Sequence, residues 1–210
     1  MPRRIESLMI PGPTGRIEAL LEEPEESAPT HVALVCHPHP QHGGTMHNKV
    51  VYRLARGLRR ASAVVLRFNY RGVNLSEGVY DHGIGEEMDA RACLAVLRER
   101  YPELPYTVAG FSFGSRIALR IARNPGPCRV IAVGFPTVYK DTSYLEAPYA
   151  TPRVFIHSTN DEFGPRPAFE KIMDGLEPRP EVHWVKAKDH FFADALDDFE
   201  EVVFRSGLKT

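Results

Sequence analysis

Three polar residues far apart in the chain each sit in a context that suits chemistry. Ser112 lies in Gly110-Phe111-Ser112-Phe113-Gly114. The apolar pair Val108-Ala109 precedes this run, and Ser115–Arg123, with helical patterning, follows it. A G-x-S-x-G run between a strand and a helix predicts a sharp turn with the serine exposed at its tip. Glycine at 110 and 114 removes the Cβ atoms that would collide with the adjacent strand and helix. The helix N-terminus then turns free N–H groups and a positive dipole end toward a developing oxyanion. A short motif of common residues does not decide by itself, so its partners matter.

Asp161 follows Arg153–His157, which reads as a strand, and the chain then runs through Ser158-Thr159-Asn160-Asp161-Glu162-Phe163-Gly164-Pro165. An acid just past a strand's carboxyl end lies where open α/β sheets build their sites. The competing role for Asp161 is an Asx-turn or a helix cap, and the rival acid is Glu162. Asp161 is the preferred acid. His190 lies in Asp189-His190-Phe191-Phe192, beyond the strand-like Val182–Ala187 and just before the last helical segment. A serine, a histidine and an acid are the parts of a nucleophile, a general base and the group that orients the base.

The elements that must position these residues alternate. Ile5–Ile10 and Gly15–Glu22, separated by Pro11-Gly12-Pro13-Thr14, read as an antiparallel edge hairpin. His31–Cys36 and Ala63–Phe68 are short apolar runs of the buried-strand kind. Between them Asn48–Arg60 places Val50, Val51, Leu54 and Leu58 at helical spacing. Strands are further expected at Tyr106–Gly110 and Arg129–Gly134, and helices at Glu86–Arg100, Pro167–Gly175 and Ala193–Arg205. This alternation predicts one α/β domain over residues 1–210, with a mainly parallel sheet covered by helices on both faces.

Composition narrows the function class. Hydrophobic residues make up 43% and charged residues 25% of the 210-residue chain, which is the balance of a globular protein with a real core. A net charge of −1 without blocks of like charge gives no reason to expect nucleic acid or a membrane surface as partner. Met-Pro-Arg-Arg is not followed by an apolar run, so no secretory leader is expected. Cys36, Cys93 and Cys128 are widely spaced and form no CxxC pair, so a reducing cytoplasm is the expected compartment.

With these residues in place the chain resembles the α/β-hydrolase superfamily, in particular its small cap-free serine hydrolases. The likeness runs from the opening hairpin to the last helix. It is carried by Gly110-Phe111-Ser112-Phe113-Gly114, Asn160-Asp161-Glu162 and Asp189-His190-Phe191-Phe192, in the family's order Ser, Asp, His. The stretch Cys36-His37-Pro38-His39-Pro40-Gln41-His42-Gly43-Gly44 resembles the family's oxyanion loop, and the stretch from Phe68 to Gly78 its loop after the fourth strand. The resemblance implies an α/β-hydrolase fold without a cap domain, with no cofactor. It implies a carboxylesterase-like catalytic triad and oxyanion hole, acting on a small-molecule ester or thioester. Pro38 stands where the family usually has glycine. Since proline has no N–H, only His37 and His39 can donate from the backbone within residues 37–40. His39 is the expected oxyanion donor, together with Phe113 after the nucleophile.

Two rival readings compete. His37, His39 and His42 form a His-x-His-x-x-His cluster that invites a metal-dependent hydrolase. Gln41, however, stands where the dinuclear pattern places an aspartate. The other rival is a non-catalytic binding protein on the same fold. The resemblance implies that a lid, when present, follows the strand that here ends at Gly134, so substrate size is read from Phe135–Pro152, the whole insertion available there. It is too short for a helical cap, and Tyr139, Tyr144 and Tyr149 are expected to line a rim beside the site.

Overall fold

The computed structural model describes residues 4–25, 27–123, 126–146 and 149–208. The opening Met1-Pro2-Arg3, and Pro148 of the 135–152 stretch, lie outside them. The strands are β1 (Ile5–Gly12), β2 (Gly15–Glu22), β3 (His31–Cys36), β4 (Ala63–Phe68), β5 (Tyr106–Phe111), β6 (Arg129–Val133), β7 (Arg153–Ser158) and β8 (Glu181–Val185). The helices are α1 (Lys49–Arg60), α2 (Ile84–Arg100), α3 (Phe113–Ile121), α4 (Arg166–Asp174) and α5 (Leu196–Gly207).

The strands form one eight-stranded sheet in the order β1-β2-β4-β3-β5-β6-β7-β8. β1 and β2 are antiparallel and β2 joins β4 antiparallel, while β3 to β8 run parallel. The buried runs alternate between two apolar layers, as a period of two requires. Val32, Leu34 and Cys36 of β3 face one layer, and Ala33 and Val35 face the other. The first layer is covered by α2, α3 and α4, through residues such as Cys93, Ile117 and Phe169. The second is covered by α1 and α5, through Leu54, Leu58, Phe199 and Val203. Burial of such side chains contributes about 1.5–3 kcal/mol each, which is why the parallel strands are near-continuous in Val, Ile, Leu and Phe. Among the described residues no helix is long and apolar enough to cross a membrane.

Most element boundaries differ by a few residues at most from the sequence expectation, and three of the differences have a clear local cause or bear on the site. β1 continues through Pro11 and Gly12, and Gly12 pairs with Gly15, so the turn is only Pro13-Thr14. β1 is the edge strand, where a missing N–H is tolerated. α3 starts at Phe113, immediately after the nucleophile candidate, and not at Ser115. α5 starts at Leu196 and not Ala193, because Phe192 and Asp194 adopt positive φ, which a helix does not accommodate.

The 135–152 stretch is also not the rim that its tyrosines suggested. Tyr144 and Tyr149 are buried. The Tyr149 hydroxyl donates to the Leu119 carbonyl at 2.6 Å, and Arg116 Nε donates to the Tyr144 hydroxyl at 3.2 Å. Two of the three tyrosines therefore fasten the segment to α3. Only Tyr139 stays partly exposed, stacked over the Arg116 guanidinium at 4.0 Å.

Candidate active site

Parallel pairing brings the carboxyl ends of β5, β6, β7 and β8 to one edge. Phe111 is level with Val133, Val133 with Ile156, and Ser158 with Val185. The residues just beyond these ends are Ser112, Gly134, Asp161 and His190.

Ser112 has φ 55° and ψ −120°, a conformation that non-glycine residues rarely adopt. It is held there from both sides. Its N–H donates to the Val133 carbonyl at 2.9 Å, and its carbonyl accepts from Ser115 N and from Ser115 Oγ at 2.6 Å. The flanking glycines meet the steric need read from the motif. A Cβ on Gly110 would lie 2.2 Å from the Gly114 carbonyl oxygen, and one on Gly114 would lie 2.4 Å from the Cys36 oxygen. Phe113 opens α3, so its N–H has no acceptor within the helix.

The two candidate acids prove to have separate tasks. Asp161 Oδ2 is 2.7 Å from His190 Nδ1, and Asp161 Oδ1 accepts the N–H groups of Phe163 and Gly164, each at 2.9 Å. The Asx-turn and the contact with His190 are thus both present, one on each oxygen. Burial would push the Asp161 carboxyl up, but the His190 bond, the His190 and His157 rings and the Gly164 N–H hold it below the usual range. Asp161 is therefore ionised, and His190 presents Nδ1–H to it. Glu162, the rival acid, accepts the backbone N–H of His190 at 2.9 Å.

The His190 ring is buried against Phe111 at 4.8 Å, Phe163 at 4.8 Å and Phe191 at 5.3 Å, centroid to centroid. Its Nε2 is buried and has no hydrogen-bond partner among the described residues, so the Ser112 hydroxyl is not bonded to it in this state. Gly134 makes room for the ring. It has φ 53°, and a Cβ there would lie 3.0 Å from His190 Cε1 and 2.9 Å from a Phe111 ring carbon. Sequence reading passed over Gly134. The only available signal was a glycine ending a strand next to the serine's strand.

The histidine cluster is not arranged for a metal. Tyr70 N–H donates to His37 Nε2 at 3.1 Å, and His37 Nδ1 lies 2.6 Å from the Pro38 carbonyl, so both ring nitrogens are engaged. Burial pushes His37 down to about 3. His39 Nδ1 accepts the Gln41 N–H at 3.2 Å and its Nε2 meets the Tyr80 hydroxyl at 3.1 Å. Among the described residues no group of three or more His, Cys, Asp or Glu could hold a metal ion. The His39 ring instead packs on the Phe113 ring at 5.1 Å between centroids. Cys36 is a buried core residue.

The alpha/beta hydrolase domain model matches residues 32–198, and the chain belongs to that family. It is 34% identical over 203 residues to an uncharacterized protein of Rickettsia prowazekii (strain Madrid E), covering 91% of this chain and 84% of that one. It is similar to the structure of an alpha-beta serine hydrolase homologue from Coxiella burnetii, with 32% identity, a TM-score of 0.91 and 96% of each chain covered. A Xanthomonas campestris structure, described as an α/β serine hydrolase without lid, matches with 32% identity and a TM-score of 0.90. That match covers 100% of this chain and 95% of the other.

Proposed function

We propose that this protein is a serine hydrolase that cleaves carboxylic esters or thioesters of small, water-soluble substrates through an acyl-enzyme intermediate. The observation that carries the reading is the 2.7 Å contact between His190 Nδ1 and an ionised Asp161, at the same sheet edge as a serine with φ 55°. The names of the Coxiella and Xanthomonas relatives point the same way.

In this reading Ser112 Oγ attacks the acyl carbon and its proton passes to His190 Nε2. Asp161 stabilises the imidazolium that forms. The oxyanion is held by the N–H groups of Phe113 and His39. Collapse of the tetrahedral intermediate expels the alcohol or thiol, which takes the proton from Nε2. Water, deprotonated by the same nitrogen, then releases the acid and restores the serine. The missing bond between Ser112 and Nε2 in the free state is ordinary, because such contacts often tighten only when substrate is present. Residues 1–210 act as one domain in this reading, and the free cysteines fit a reducing cytoplasm.

The test is covalent labelling with a fluorophosphonate, read beside hydrolysis of p-nitrophenyl acetate. Wild type is expected to do both and Ser112→Ala neither. Labelling that survives in Ser112→Ala overturns the nucleophile. A wild-type protein inert in both assays supports a binding protein on the hydrolase fold.

A further inference from the structure

Behind Asp161 lies a second histidine that the mechanism above does not use. His157, near the end of β7, is fully buried. Its ring is stacked on Phe169 at 4.2 Å and edge-on to Trp184 at 5.4 Å. Its Nε2 is 2.8 Å from the Gly164 carbonyl oxygen and 3.5 Å from Asp161 Oδ2, the oxygen that holds His190. A carbonyl only accepts, so Nε2 carries the hydrogen. Nδ1 is buried with no partner among the described residues, so a second proton on the ring would have nothing to bond. Burial lowers the His157 pKa, and the titratable groups that act on it are Asp161 and His190. The ring is therefore a fixed, neutral donor.

The loop around it is closed from both ends. The N–H of Gly164 holds Asp161 Oδ1, and the carbonyl of Gly164 holds His157. Gly164 must be a glycine, since a Cβ there would sit 2.8 Å from His157 Nε2 and 2.6 Å from the Phe135 carbonyl oxygen.

We propose that His157 is a positioning residue for the catalytic acid: its Nε2–H, shared between the Gly164 carbonyl and Asp161 Oδ2, keeps that oxygen facing His190 Nδ1. This rests on the assignment of Ser112, His190 and Asp161 given above. A histidine kept only for packing would be replaceable by any flat ring. A positioning histidine is replaceable only by a group that puts a donor where Nε2 lies. Glutamine does so, since its amide nitrogen reaches about as far as Nε2. Phenylalanine keeps the stack on Phe169 without a donor, and asparagine carries a donor that stops short.

The experiment measures the rate of fluorophosphonate labelling of Ser112 against pH in wild type, His157→Phe, His157→Asn and His157→Gln, with melting temperatures taken in parallel. It also records the far-downfield proton resonance of the His190 Nδ1–H. His157→Phe and His157→Asn are expected to label roughly 10- to 100-fold more slowly, the scale of a small misplacement in an active site. Their acidic limb should move to lower pH, because the imidazolium loses part of its acid's support, and the downfield resonance should broaden or move upfield. His157→Gln should recover most of the rate, the limb and the resonance. If His157→Phe does not fold, the contrast between asparagine and glutamine decides. Equal rates and unmoved limbs in all variants, with wild type labelled normally, overturn the role of His157 alone. A wild-type protein that does not label overturns the serine reading and this proposal together.

Discussion

The carboxylate of Glu162 accepts the backbone N–H of His190 at 2.9 Å, across a separation of 28 residues. Its neighbour Asp161 holds the same residue by the ring. One acidic pair thus fixes both the chain and the imidazole, and the two contacts predict different losses. Asp161→Asn should lower kcat by roughly 10³–10⁴-fold, because an amide neither stabilises the imidazolium nor enforces the tautomer. Glu162→Gln keeps an oxygen that accepts an N–H, so its effect should stay within about tenfold. The ratio of the two kcat values on p-nitrophenyl acetate checks this. A crippling Glu162→Gln beside a mild Asp161→Asn would reverse the assignment.

Gly134→Ala should damage both stability and rate. The alanine would have to adopt φ 53° and would press on the His190 and Phe111 rings. A loss of about 1–3 kcal/mol is expected from the backbone alone, and a fall of about 100-fold in kcat/KM from the displaced imidazole. Chemical denaturation and steady-state kinetics on one preparation measure both. An alanine variant with wild-type kinetics would show that the ring has room.

Acid should weaken the fold through its buried imidazoles. Burial pushes His37 down to about 3 and His31 to about 4. An unfolded chain takes up these protons near the ordinary histidine value of about 6.5. The folded values are depressed, so the stability these residues contribute is fully present above about pH 6.5 and is lost as pH falls toward 4 and 3. Each group gives a slope of up to about 1.4 kcal/mol per pH unit in that window. Urea midpoints followed from about pH 7 to about pH 4.5 should fall steadily, and His31→Gln and His37→Gln should each flatten the curve. A flat wild-type curve would contradict two neutral buried rings.

Chain length should matter little, or count against the substrate. The 135–152 segment is fastened to α3 by Tyr144 and Tyr149 and so does not stand up as a wall. Burial of a methylene contributes about 0.8 kcal/mol, or roughly fourfold in kcat/KM, only where a wall receives it. Across p-nitrophenyl esters from acetate to palmitate, kcat/KM should be highest for the short chains. A steady climb to palmitate would mean that another surface completes the pocket.

The parts of the site that were legible in the sequence are those fixed by local chemistry. Gly110 and Gly114 are demanded within five residues of each other by one turn, and Ser112 follows from them. Asp161 and His190 could be placed because each lies past the end of an apolar run, and parallel strands end together. What escaped depends on how distant loops fold against each other. His157 sits in a strand run where burial is the expected state, and nothing local shows that Gly164 and Asp161 turn back onto its ring. The bond from Glu162 to the backbone of His190 escaped as well, because only the path of the loop brings that carboxylate to it. The inward tyrosines of 135–152 were missed for the same reason. Their partners are Arg116 and the Leu119 carbonyl on α3, and the segment itself has no periodicity to reveal a buried face.

The backbone at Ser112 has a price in fitness of a different kind. A non-glycine residue at φ 55° carries about 1–3 kcal/mol of strain, which is a sizeable share of the 5–15 kcal/mol that holds a typical domain folded. Selection for robustness alone would install glycine at 112, giving a sturdier and inert protein. In the mechanism proposed above, a serine at 112 trades durability for turnover at a single residue.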